Sequence, residues 1–470
     1  MVSDSPPEAG MATTRPAPSK AYRGWLLFNL FLLTALNLAD RQGMAAIAPA
    51  VKHDLGLSDT QLGMILGLGF AIFFALMALP VARLAEHHNR TRIIAAAAGV
   101  FGIALGLCSL AGGFWQFLLL RIGVGSGESG LGPPTASLLG DHFPREKRAS
   151  ANTVVWLGAP VGAVGGAILG GMFAQYFGWR LWFLALGAPA LIVAALCFLT
   201  LRDPPRGTFD PARATAHPPP MLEVLRFLWA KRSVRQILIG AGLAAISLNA
   251  LGQFFARFFV SNFHLGLAQA GAILGMMAGT SMASGMALGG FGLDWAARSD
   301  RRWYVWGPAI GLGLATPLFV IGLGQPGLYA VVGILLIAHV ALFVFWTPTM
   351  ALAQNMVGAD MRASSQFVVS LVISLIGIGL GPTLAGILSD AFAKLALPHF
   401  STLCPGGLPM SGATEEIFAA CLSASAEGVR TSIITMSLVF AWAGVHYFLA
   451  ARTLRQDLDT HYEARIANSE

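Results

Sequence analysis

Apolar residues along this chain run on rather than alternate. Twelve stretches, at 22–50, 60–82, 93–113, 115–140, 151–176, 180–201, 235–261, 268–292, 304–323, 327–350, 364–390 and 428–451, are nearly free of charge. Most reach the ~20 residues an α-helix needs to cross a hydrocarbon core. The pattern predicts an all-α integral membrane protein with twelve transmembrane helices. An even number of crossings puts both termini on one side.

Composition agrees. Of 470 residues, 55% are hydrophobic and 11% charged, against the roughly 25% charged of soluble domains. Mean hydropathy is +0.66. The net charge of +7 raises the question of an acidic partner, but position explains it better. Most Lys and Arg lie in the tails and even-numbered loops, among them Arg90, Arg92, Arg145, Lys147, Arg148, Arg298, Arg301 and Arg302. The positive-inside rule then makes both termini cytoplasmic, in a bacterial-type inner membrane, and no nucleic-acid partner is expected.

The expected organisation follows. Residues 1–20 are rich in Pro, Ala, Ser and Thr and read as a disordered cytoplasmic tail, not a signal peptide. A six-helix half fills 21–201. A Pro-rich, basic connector occupies 202–234, with a short surface helix at Met221–Trp229. A second half spans 235–452, with an external loop at 396–427, and 453–470 is a cytoplasmic tail. Cys404 and Cys421 fall in that external loop, where a disulfide is permitted. Cys108 and Cys197 fall in spans as packing residues.

Charge inside a bilayer costs at least ~2.5–3.5 kcal/mol per residue, so intramembrane ionisable groups point to function. Asp40, Arg41, Arg121 and Glu128 are such groups. Asp40 and Arg121 sit at matching depth, roughly 9–14 Å below the outer surface, so a pair is within reach. Glu128 is two turns deeper on the Arg121 face. Asn37, Asp40, Arg41 and Met44 share one face of the first span. A purely structural ion pair is the competing reading. A carboxyl beside a mobile Arg is what proton coupling needs, which nominates Asp40, Glu128 and Arg121. Arg41, Arg121 and Glu128 are also candidate substrate contacts.

The second half offers Asn249, Gln253 and Arg257 on one face of span 7, with Trp346 in span 10, as further substrate contacts. His339 alone reads as a packing residue, and Gln366, Ser370 and Ser374 form a stripe on span 11. One half therefore brings charge and the other mostly apolar and aromatic surface, a division that suits an amphiphile. Gly125–Gly130 fits G-x-G-x-x-G but lies within a span with no preceding strand, so its glycines read as helix contacts. No catalytic or metal-ligand motif emerges, so the chain is not read as an enzyme and no cofactor or metal is expected.

The halves echo each other. Arg83, Glu86 and Arg90 follow span 2; Asp294 and Arg298 follow span 8, with the same acid-x-x-x-Arg spacing and the same offset. This supports a pseudo-symmetric 6+6 duplication. These turns resemble motif A of the major facilitator superfamily, with Ala82, Glu86, Asn89 and Ala297 departing from its pattern. Gly158-Ala159-Pro160-Val161-Gly162 resembles that superfamily's span-5 motif. Asn37-Leu38-Ala39-Asp40-Arg41, Leu55–Gly63, Arg121–Ser129, Asp141–Arg148, Gly178-Trp179-Arg180 and Arg202–Gly207 together resemble the Spinster-like branch. Its eukaryotic members export sphingosine phosphate or lysolipids; the first two motifs also resemble the anion:cation symporters.

The resemblance implies a monomeric secondary transporter working by alternating access among membrane lipids. The substrate expected first is a lysolipid or sphingoid-like amphiphile moved with protons. A small organic anion of the sugar-acid type, or a multidrug exporter, are the alternatives. Arg83, Glu86, Arg90, Asp294 and Arg298 are expected to gate the cytoplasmic side.

Overall fold

A computed structural model describes residues 19–205, 221–357, 365, 368–369, 371–407, 409 and 413–457. The N-terminal part runs α1 (Lys20–Leu55), α2 (Asp59–Leu66), α3 (Leu68–His87), α4 (Arg90–Cys108), α5 (Phe114–Ser129), α6 (Gly132–His142), α7 (Arg145–Trp156), α8 (Gly158–Tyr176) and α9 (Trp179–Thr200). After the connector come α10 (Met221–Ala230), α11 (Arg232–Phe263), α12 (Leu267–Ala287), α13 (Leu293–Ala297), α14 (Trp303–Leu323) and α15 (Leu328–Phe343). Then follow α16 (Trp346–Asn355), α17 (Gly379–Ala396), α18 (Phe400–Leu403) and α19 (Glu415–Ala450).

Ten helical stretches among the described residues are long and apolar enough to cross a membrane. Two expected spans are not among them. Asp40 and Arg41 interrupt the apolar run of α1, and α5, carrying Arg121 and Glu128, stops after 16 residues. Leu110, Trp115, Leu119, Phe198, Leu199, Phe291 and Tyr329 are each at least 60% exposed. So much apolar outer surface is stable only against lipid.

Several expected spans are broken. The 60–82 run divides at Gly67, where a Cβ would press on the Gly379 carbonyl at 2.6 Å. The 115–140 run divides after Ser129, and 327–350 after Phe343. The external 396–427 region is helical from Glu415 onward, and Thr414 caps that helix through the Ile417 N–H. Of the polar stripe on span 11, Gln366 and Ser370 lie outside the described residues, as do most of both tails and 206–220.

Packing is set by small residues. α8 presents Gly158, Gly162, Gly166 and Gly170 at four-residue spacing to Phe31, Ala35, Ala39 and Gly43 of α1. A methyl at Gly162 would overlap the Ala35 carbonyl. The N- and C-terminal parts meet where α8 packs on α12, α2 on α17 and α1 on α11. There Gly171 and Gly271 bring α8 and α12 together, and Gly63 and Gly386 bring α2 and α17 together. Where lipid tails are as apolar as side chains, such close approach supplies the packing gain that holds helices together.

Candidate functional site

The four intramembrane charges meet on the inner faces of α1 and α5. Arg121 Nη1 donates to both carboxylate oxygens of Asp40, at 2.9 and 2.8 Å. Both residues are buried, at 3% and 0% exposure. Arg41 pairs with Glu128, its Nη2 lying 2.6 Å from Oε1. Phe70 of α3 lies between the two guanidiniums, whose carbons are 4.8 Å (Arg41) and 5.8 Å (Arg121) from its ring centroid. Gly125 allows that approach, since a Cβ there would meet the Phe70 carbonyl at 2.7 Å. The expected Asp40–Arg121 pair is present. Here Glu128 pairs with Arg41, while Arg121 is held by both oxygens of Asp40.

Of the four, Arg41 and Arg121 face a cavity of about 20 Å³, room for about one water. It is lined by Arg41, Met44, Leu66, Phe70 and Arg121 from the N-terminal part, and by Asn249, Gln253 and Ile378 from the C-terminal part. Arg121 Nε and Gln253 Oε1 are buried without a hydrogen-bond partner. A donor and an acceptor left open on opposite walls mark a place where a polar group would be taken up.

Other expected contacts lie elsewhere. Arg257 is near the C-terminal end of α11, far from the start of α1, paired with Asp59 and donating to Ser425 Oγ at 2.8 Å. Trp346 packs against Phe345 and does not line the cavity. His339 Nδ1 donates to the Leu335 carbonyl, 2.8 Å away, between Phe255 and Phe319.

The turns expected to gate sit at the end where α1 begins and α19 ends. Arg90 is fully buried among groups of its own part: Asp203 at 2.7 Å, Asp141, the Ser137 carbonyl and the Pro204 carbonyl. Asp294 accepts from Tyr304 at 2.8 Å, and Arg83 and Arg298 are exposed. The Glu86 side chain lies outside the described residues. At the far end the two parts are instead tied by charge: Lys52 and Asp59 lie against Arg257 and Asp390. Sequence reasoning missed Asp59 and Asp390 as site residues. Ser58–Gln61 carried a capping-box signature, but nothing in sequence joins positions 331 apart.

A chain of many apolar helices with paired intramembrane charges matches a known family. The Major Facilitator Superfamily model matches residues 30–393. An MFS-type efflux pump of Mycolicibacterium smegmatis is 26% identical over 82% of this chain and 89% of its own length. A hexuronate transporter of Bacillus subtilis is 33% identical, over 39% of this chain and 44% of its own. A crystal structure of a bacterial homolog to the human lysosomal transporter Spinster, inward-facing and unoccupied, superposes with a TM-score of 0.84. It is 31% identical, covering 94% of this chain and 99% of that one. Fold, charge arrangement and relatives agree: the chain belongs to the major facilitator superfamily, with secondary transport as its function and the Spinster-like transporters among its relatives.

Proposed function

We propose that this transporter moves an amphiphile with an ionic head, of the lysolipid or sphingoid type, coupled to protons. The observation that carries this is the two-sided cavity: ion-paired charges on the N-terminal wall, and uncharged Asn249, Gln253 and Ile378 on the other. The likeness to the Spinster homolog along nearly the whole chain supports it. Twelve spans in two six-helix halves, acting as a monomer with both termini cytoplasmic, is the arrangement we infer; it adds α1 and α5 to the ten apolar stretches. The far-end contacts then close the outer side, which supports reading this arrangement as inward-facing.

The pairing supports a specific exchange. Protonating Glu128 neutralises the partner of Arg41 and frees that guanidinium, while Asp40 keeps Arg121. Arg41 is the more exposed of the two cations, at 24% against 3%, so it is the one placed to receive an anionic head. Deprotonation restores the pair and expels the head. The Glu128 carboxylate and the anionic head thus compete for one guanidinium, so proton and substrate bind together.

A small organic anion is the second reading, favoured by two guanidiniums on one cavity and by the hexuronate transporter match. A drug-type substrate has the efflux pump's likeness alone. Purified protein in vesicles with an imposed pH gradient separates them. Labelled lysophospholipid movement should follow the gradient and lose that dependence in Glu128→Gln. Gradient-driven uptake of a sugar acid with no lysolipid movement would overturn the amphiphile reading. Full pH dependence in both Glu128→Gln and Asp40→Asn would overturn proton coupling through these carboxyls.

A further inference from the structure

Four charged side chains from opposite parts of the chain converge at the far end, apart from the central cavity. Lys52 ends α1 and Asp59 begins α2; Arg257 belongs to α11 and Asp390 to α17. Asp59 Oδ1 accepts from Lys52 Nζ at 2.7 Å and pairs with Arg257, while its Oδ2 accepts from Ser389 Oγ at 2.7 Å. All the oxygens of this buried carboxylate are used, and two of its partners come from the other part.

Asp390 does something different. Its carboxylate accepts the backbone N–H groups of Asp59 at 3.0 Å and Thr60 at 2.8 Å, and the Thr60 hydroxyl at 2.6 Å. These are first-turn donors of α2, which have no partner within the helix. Ser58, the cap within α2's own chain segment, reaches only the Gln61 N–H, at 3.1 Å. The start of an N-terminal helix is therefore completed by a carboxylate of the C-terminal part. A negative charge there also meets the positive end of the helix dipole.

A cross-linked loop lies over this cluster. Cys404 and Cys421 are disulfide-bonded, and Pro405–Gly407 follows Cys404 directly. A Cβ at Gly407 would lie 2.9 Å from Lys52 Nζ and 3.2 Å from Ser425 Oγ; one at Gly406 would lie 3.0 Å from the backbone of Gly56. Gly406 and Gly407 have φ of 68° and 85°, which glycine alone adopts without strain. The loop thus touches α1 and α19 together.

We propose that Asp390 is the positioning residue of a latch that holds the far end shut, with the disulfide-held loop as its cover. Opening that end separates α2 from α17, so it must strip the cap and part Asp59 from Arg257 in one event. The proposal rests on alternating access and adds the residues that set the balance of states.

The test places Leu66→Cys, on the cavity wall, in full-length protein lacking Cys108 and Cys197. Labelling by a membrane-impermeant maleimide is then read from each side of reconstituted vesicles. Asp390→Asn should raise far-side labelling at least about fivefold, the scale of a lost helix cap, and Asp390→Glu should restore it in part. Cys404→Ser with Cys421→Ser should raise it as well, with every charge intact. A merely structural role would lower yield and thermal stability without changing the sidedness of labelling. Unchanged sidedness in whichever of these variants folds would overturn the latch. Substrate uptake measured in the same vesicles reports on transport itself, so loss of the latch and loss of the transport reading give different results.

Discussion

At the residue scale, the two ion pairs differ in what they do for the protein. Asp40 and Arg121 are sealed from solvent, so Asp40→Asn strands a buried guanidinium. We expect a loss of about 3–5 kcal/mol, and partial recovery in Asp40→Asn/Arg121→Gln. Thermal unfolding in detergent checks both, and equal losses in single and double variants would contradict the buried-pair account. Arg41 is partly open, so its pair with Glu128 is the one we propose to exchange. Matching depth on two helices made the first pair legible in sequence. The second was not. Whether Glu128 meets Arg41 or Arg121 depends on how α1 and α5 are rotated about their axes, and residue spacing along one helix does not encode that rotation. Arg257 shows the same limit. It shares a helix face with Asn249 and Gln253, yet eight residues of rise from Asn249 carry it ~12 Å along the axis, out of the cavity and into the far-end cluster.

At the element scale, glycines decide which helices touch. Gly162 and Gly165 lie on one helix, three residues apart, with opposite surroundings. A side chain at Gly162 runs into the α1 backbone, whereas nothing lies within 4 Å of a Cβ at Gly165. Gly162→Leu should destabilise by at least about 1–3 kcal/mol through overpacking, and Gly165→Leu should leave the melting temperature near wild type. If both behave alike, the α1–α8 seam is not as tight as described. Apolar runs located the helices, because hydropathy is a local property. The breaks at Gly67 and after Ser129 escaped that reading. Gly67 departs from helical geometry where α17's preceding turn crowds it, and the crowding belongs to the neighbour, not to the sequence around Gly67.

At the scale of the whole molecule, the two ends are closed unequally. The far end is bridged between the N- and C-terminal parts by Asp59 with Arg257 and by Asp390 with α2. At the opposite end, Arg90 and Asp294 bond within their own parts. The duplicated turns are therefore not equivalent in this state. Arg90→Ala removes a fully buried cation from two carboxylates and should cost several kcal/mol, whereas exposed Arg298→Ala should stay within about 0.5 kcal/mol. Similar melting temperatures for the two variants would refute that asymmetry. The sequence by itself determined the membrane environment, most helix positions, the family and the four charges worth attention. Each of these rests on the cost of placing one kind of residue in lipid, which is a property of the residue and its near neighbours. The tertiary structure alone decided which cation each carboxylate holds, that Arg257 pairs at an end rather than lining the cavity, and that Asp390 caps a helix 330 residues away. Those outcomes depend on helix rotation and separation at the length of a hydrogen bond, which only the packed whole fixes.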